Sequence, residues 1–210
     1  MQQFTNVEAL IAEHGRKGSL EDSDLSYLMI DGIDFKGHTL SGANIHGTTF
    51  KNVSLAGCEM AGTFVQDGDF AGTTFAGAKM DGAFFQRVNL SQCNFAGAAM
   101  SGVSIFLCQL PGGNLTNCQL LGAKMLETNL EGSDFTGSNM ANADFRESDL
   151  TGVTFHDCDL RGADLRKTNI FSASFQNMQI EGALYYGKSP WDGVAKNLDW
   201  KNKMLIFDGE

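Results

Sequence analysis

The sequence predicts an all-β solenoid with four short sides per coil, and two periods predict it. The first period is five. From Leu20 to Tyr185 every fifth residue is apolar, thirty-four times without a slip of phase. A period of five fits neither the 3.6 of an amphipathic helix nor the 2 of a half-buried strand, so it marks an internal repeat. The second period is twenty. Leu20, Leu40, Met60, Met80, Met100, Leu120, Met140, Leu160 and Ile180 form one column at that spacing. Phe35, Leu55, Phe75, Phe95, Leu115, Phe135, Phe155 and Phe175 form another. Like residues that return every twenty positions stack in ladders, so one coil holds four sides. The thirty-four repeats make about eight coils. At ~4.8 Å per stacked strand the rod is about 40 Å long.

Three segments follow in order: 1–19, 20–185 and 186–210. The first stands outside the repeat. Thr5-Asn6-Val7-Glu8 fits a capping box, and Val7, Leu10 and Ile11 fall on one helical face before Gly15. A short helix at about 6–14 is expected to cover one end of the stack, because a terminal coil exposes a core cross-section.

Within 20–185, the apolar residue is position i. Position i−2 is small, as in Ala43, Thr48, Val53, Cys58 and Thr63, and i+2 is often Gly, as in Gly32, Gly37 and Gly42. Position i−1 is often Asp, Asn, Ser or Thr. One large and one small residue of each five therefore point inward and three point out. Glycine at i+2 permits the positive φ of a tight turn.

Runs such as Ser133-Asp134-Phe135-Thr136-Gly137, Ala143-Asp144-Phe145-Arg146-Glu147 and Ala163-Asp164-Leu165-Arg166-Lys167 resemble the pentapeptide-repeat family, whose motif is A(D/N)LXX. The resemblance covers about 20–185. It implies a right-handed quadrilateral parallel β-helix, with i and i−2 inside and short capping helices at the ends. Gly18, Leu28, Ile33, His38, Gly68, Gly113 and Met178 depart from the small-residue rule at i−2, partly near the ends, where less regular coils are expected.

Beyond 185, Ser189-Pro190-Trp191-Asp192 reads as a helix start, and a helix at about 190–197 is expected to cover the second end. Met204-Leu205-Ile206-Phe207 is a final strand or a packing tail. Dimerisation is the other use of this segment, since some relatives pair through their C-terminal ends.

The residues offer little chemistry. All five cysteines, Cys58, Cys93, Cys108, Cys118 and Cys158, occupy i−2 and so fill the small inward slot. Their odd number and the lack of a CxxC suit a reducing compartment, and a cytoplasmic protein of bacterial style is expected. The histidines His14, His38, His46 and His156 are scattered, so no metal constellation results. The glycines belong to five-residue turns and not to a phosphate loop. No run of eighteen apolar residues and no leader pattern is present. No catalytic residue, cofactor or metal is expected, and a non-enzymatic scaffold that binds another protein is.

The surface carries two candidate sites. On the side built around Val65, Phe85, Ile105 and Met125, outward positions hold Phe64, Phe84, Phe106 and Leu126, with Leu107 at the corner and Leu121 on the adjoining side. Outward aromatics are rare elsewhere, and a contiguous apolar strip reads as an interaction site, including one for a second copy. The alternative rests on charge, 15 Lys+Arg against 25 Asp+Glu. One branch of the family resembles duplex DNA and binds type II topoisomerase (DNA gyrase), inhibiting it or protecting it from quinolones. Glu127, Glu131, Asp144, Glu147 and Asp149 would form that acidic patch. The carboxylates of 127–164 spread over all four sides and alternate with Lys124, Arg146 and Arg161, which favours a solvated surface. The net charge of −10 disfavours direct nucleic-acid binding.

Overall fold

The short sides of the chain follow from local geometry. Three residues, i−1 to i+1, are extended, so i points to one face and its neighbours to the other. The residue at i+2 then takes a positive φ and turns the chain, as at Gly42 (φ 68°) and Asn117 (φ 56°). The computed structural model describes residues 2, 3, 8–10, 12, 18–186 and 200–207. Across 18–186 the turns wind the chain into a β-solenoid of about eight coils.

Each coil pairs in parallel with the next at a constant offset of twenty residues. Asn44 lies beside Phe64, Phe64 beside Phe84, Phe84 beside Ser104, and Ser104 beside Lys124. Three further ladders run through Ser19, Thr39 and Glu59, through Met29, Thr49 and Asp69, and through Asp34, Ser54 and Thr74. All four ladders carry the backbone bonds, so every side is a narrow parallel sheet.

The inside and outside assignments hold almost throughout. Of the thirty-four apolar column residues only Phe175, close to the C-terminal end, is half-buried rather than buried. The phenylalanine column stacks as the period of twenty requires. The Phe75 and Phe95 rings lie 4.8 Å apart and 4° from parallel, and Phe135 and Phe155 lie 5.5 Å apart. Position i−2 is buried too, except at Gly18, Ile33, His38, Thr168 and Met178, which are partly covered.

The inward slot also stitches coils together. Thr48 Oγ1 donates to the Leu25 carbonyl (2.6 Å), Cys58 Sγ to the Phe35 carbonyl (3.0 Å) and Ser138 Oγ to the Leu115 carbonyl (2.6 Å). In each case the acceptor lies twenty-three residues earlier, one coil and one corner back. Small polar residues are thus favoured there because a buried hydroxyl or thiol finds a carbonyl. Thr73 Oγ1 is buried without a partner among the described residues.

The flanking segments add strands to the solenoid. Gln2–Gln3 pairs with Ser23–Asp24, and Leu205–Phe207 pairs with Leu184–Tyr186, both parallel. The Met204–Phe207 run is therefore a final strand, and Met204 is buried in the core. Glu8–Leu10 and Ala12 are helical, and Leu10 is fully buried. Of the capping box Thr5–Glu8 only Glu8 is among the described residues, and the helix expected at 190–197 lies outside them. The described C-terminal helix comes later, at Trp200–Lys203.

Candidate protein-interaction face

One ladder differs from the other three. It contains the strands Asn44–His46, Phe64–Gln66, Phe84–Gln86, Ser104–Phe106 and Lys124–Leu126, and it joins Gln2–Gln3 and Ser23–Asp24 in one seven-stranded sheet. Ile45, Val65, Phe85, Ile105 and Met125 point inward, so the alternation sends the flanking residues out. This is the side that carries the predicted apolar strip.

The strip divides into two pairs set on a diagonal. Phe64 and Phe84 occupy i−1 and stack, their centroids 5.1 Å apart and their planes 1° from parallel. Phe106 and Leu126 occupy i+1 and are direct ladder partners. Phe106 faces Gln86 across the ladder, which places it diagonally from Phe84. Phe64 is 40% exposed and Leu107 39%, whereas Phe84, Phe106 and Leu126 are half-buried by their neighbours. Leu121 is exposed on the preceding side and is not part of this ladder.

Outward aromatics are less confined than the sequence suggested. Tyr27 and Phe171 are exposed, as is Met29. Tyr27 belongs to the same side as the strip. Its ring meets His46 edge-on at 5.0 Å and covers Gly47, where an added Cβ would come within 2.8 Å of it. Between Tyr27 and Phe64 lies a shallow cleft of about 410 Å³, floored by Asp24, Ser26, Asn44, His46 and Gln66.

The corner that follows this side is the least ordinary part of the backbone. Its i+2 column reads Tyr27, Gly47, Asp67, Arg87, Leu107, Glu127, Glu147 and Lys167, and all seven non-glycine members have positive φ, from 49° to 63°. At the other three corners the column is mostly glycine, and Asn and Asp account for most of the exceptions. A left-handed conformation costs an ordinary L-residue roughly 1–2 kcal/mol, and Asn and Asp tolerate it best. Long side chains are held in this conformation at Tyr27, Arg87, Leu107, Glu127, Glu147 and Lys167. In the sequence this corner shows as a column of i+2 residues with Gly47 as its one glycine between Tyr27 and Lys167.

Charges along the corner are organised in ladder pairs. Arg87 grips Asp67 with two bonds of 2.7 and 2.8 Å, and Lys167 Nζ donates to Glu147 at 2.9 Å. The Arg87 guanidinium holds the Asp67 carboxyl below its usual range, and Lys167 does the same to Glu147. Further along the side, Arg146 binds Asp144 at 2.7 Å and reaches Asp164 at 3.5 Å. Of the predicted acidic patch, Asp144 and Glu147 are thus ion-paired. Asp149 accepts from the backbone amide and hydroxyl of Thr151. Glu127 and Glu131 are exposed, Glu127 at the corner of the apolar side and Glu131 on the next side. The five lie on two adjoining sides and the corner between them.

The five thiols are buried, and burial pushes them up, to about 11 for Cys58, Cys108 and Cys158 and to about 12 for Cys93 and Cys118. Among the described residues no group of three His, Cys, Asp or Glu could hold a metal ion, and no helix is long and apolar enough to cross a membrane.

Comparison with known proteins follows the same geometry. No curated protein matches the chain by sequence. Similar solved structures include full-length QnrB1, a plasmid-mediated fluoroquinolone resistance protein, at 18% identity and a TM-score of 0.48 over 84% of this chain and 99% of that one. HetL, a pentapeptide repeat protein involved in heterocyst differentiation regulation from the cyanobacterium Nostoc sp. strain PCC 7120, shares 17% identity at a TM-score of 0.34 over 86% of this chain and 97% of that one. A pentapeptide repeat protein of the Arabidopsis thaliana thylakoid lumen shares 33% identity at a TM-score of 0.29, over 46% of this chain and 69% of that one. Overlaps of this quality carry no functional weight. The family assignment rests on sequence profiles: that of pentapeptide repeats in eight copies matches 19–64 and 69–105, and that of a pentapeptide repeat region matches 108–185. With its five-residue column buried and its coils in register over the same span, the chain belongs to the pentapeptide-repeat family.

Proposed function

We propose that the protein is a non-enzymatic, rod-shaped scaffold for protein–protein interaction, a right-handed quadrilateral β-helix covered at its ends by short helical segments. The observation that carries this reading is the apolar strip of Phe64, Phe84, Phe106 and Leu126, with Leu107 at its corner, on the one side whose trailing corner holds strained, long side chains. A soluble chain that leaves such a strip uncovered has a use for it. The odd number of cysteines favours the cytoplasm as its place of work.

A DNA-mimicking binder of type II topoisomerase is the second reading, drawn from the net charge of −10 and the acids of 127–164. The ion pairs at Asp144, Glu147, Asp159 and Asp164 count against it, since each removes a carboxylate from the phosphate-like surface it needs. A gyrase supercoiling assay with and without a quinolone separates the two. The scaffold reading expects no change in either condition. Inhibition or quinolone protection that is lost on charge reversal at Glu131, Glu147 and Asp149 would establish the mimic instead.

A further inference from the structure

We propose that the occupant of the apolar side is a second copy of this chain, packed rod against rod and antiparallel about a two-fold axis along the Ser104–Phe106 strand. The inference rests on the reading of this side as an interaction face and specifies its partner and register.

The position of the strip argues for symmetry. The core residues of this side run Leu25, Ile45, Val65, Phe85, Ile105, Met125, Phe145, Leu165 and Tyr185, and Ile105 is the middle member. A two-fold axis at that coil overlays two rods along their whole length. Such an axis reverses the order of coils and leaves each outward column facing itself. Phe106 then meets Phe106, and Leu107 meets Leu107.

Charge complementarity fixes the register. One coil from the axis, Arg87 comes opposite Glu127 of the other copy, and Phe84 opposite Lys124, whose alkyl stem can cover the ring edge. Both contacts occur twice by symmetry. Moving the axis by one coil sets Arg87 on Arg87 or Glu127 on Glu127, which disfavours those two neighbouring registers. Two coils out, Asp67 faces Glu147, but each carboxylate is already held by its own cation, Arg87 and Lys167. The strained corner column is thereby explained, because its side chains are the ones that reach across.

The area sets the strength. A side ~13 Å wide and ~40 Å long buries roughly 500 Å² on each copy, about 1,000 Å² in all. That is the lower bound for a specific interface and fits a dimer of micromolar affinity.

Sedimentation of the full chain from about 1 to about 200 µM tests the proposal. The wild-type chain should pass from monomer to dimer. Arg87→Glu and Glu127→Arg should each weaken the dimer by about tenfold or more, and the double variant should recover most of the loss, with circular dichroism confirming the fold of each. Because the native thiols are buried, Leu107→Cys introduces one accessible thiol next to the axis. It should cross-link two copies under mild oxidation, whereas Leu121→Cys on the neighbouring side should not. A chain that stays monomeric throughout, or Leu121→Cys cross-linking as fast as Leu107→Cys, overturns the dimer. A monomer whose Phe64→Ser, Phe84→Ser variant loses capture of another protein overturns the second copy alone. A monomer indifferent to those changes overturns the interaction face as well.

Discussion

Phe64 and Phe84 stack face to face on the outside of the solenoid, 5.1 Å apart and 1° from parallel, although they are twenty residues apart in the chain. An offset stack of this kind adds about 0.5–1.5 kcal/mol beyond area. The pair makes no core contact in place of Val65 or Phe85, which point the other way. Replacing both rings by serine should therefore lower the melting temperature by only a few degrees while weakening association at this face. A collapse of the fold in thermal melting would show that the rings are structural.

Phe95 and Asn94 provide the opposite contrast. The Phe95 ring is fully buried between coils and stacks on Phe75, so Phe95→Ala should cost about 3–5 kcal/mol by denaturant unfolding. Asn94 points outward and accepts a bond from the Ala96 amide within its own turn. Asn94→Ala should cost about 1 kcal/mol or less. Equal losses would contradict the burial pattern.

The inward thiols should be inert. With their pKa pushed to about 11 or 12 by burial, a bulky thiol reagent should label none of the five in the folded protein and all five in denaturant. Cys118 Sγ donates to the Phe95 carbonyl at 3.1 Å, and serines fill the same slot at Ser133, Ser138 and Ser148. Cys118→Ser should thus be nearly neutral. Cys118→Val should also cost no more than about 1 kcal/mol, because the Phe95 carbonyl still accepts from the Ala98 amide and valine fills the same slot at Val103 and Val153.

Acid should loosen the outer surface before the core. Asp67, Glu147, Asp159 and Glu181 are held below their usual range, each chiefly by a hydrogen bond from Arg87, Lys167, Arg161 and Lys203 respectively. A carboxylate with a depressed folded-state pKa adds stability that is complete above its unfolded value, near pH 4, and is lost as the pH falls through the folded value. The denaturation midpoint should be flat from about pH 5 to 7 and should decline below about pH 4. The slope should shrink in Arg87→Gln and in high salt, because the Asp67, Glu147 and Glu181 pairs are solvent-exposed and screened.

The core was almost fully legible because a closed coil forces one large and one small residue inward at fixed places. Phe75 above Phe95 follows from counting to twenty. What escaped was set by contacts distant in sequence. Nothing in Gln2-Gln3 marks a strand, which exists only because the Ser23–Asp24 edge stands ready to pair. Tyr27 stands at a turn position, and its ring settles over Gly47 in the following coil, a contact twenty residues away. The apolar strip was legible from the alternation alone. The neutralised acids were half-legible: Asp144-Phe145-Arg146 and its kin place both charges on one outward face, but the 20-residue pairing of Glu147 with Lys167 shows only once coils are stacked.

The constant offset of twenty makes each coil an interchangeable module for the genome as well as for the fold. An in-frame duplication or deletion of one coil's coding sequence would leave every inward ladder in step, from the phenylalanine stack to the hydroxyl stitches. It would shift all outward residues beyond the join by a single strand spacing, ~4.8 Å. Rod length can therefore drift in a lineage with little penalty to folding, whereas any recognition that depends on two distant coils must be rebuilt.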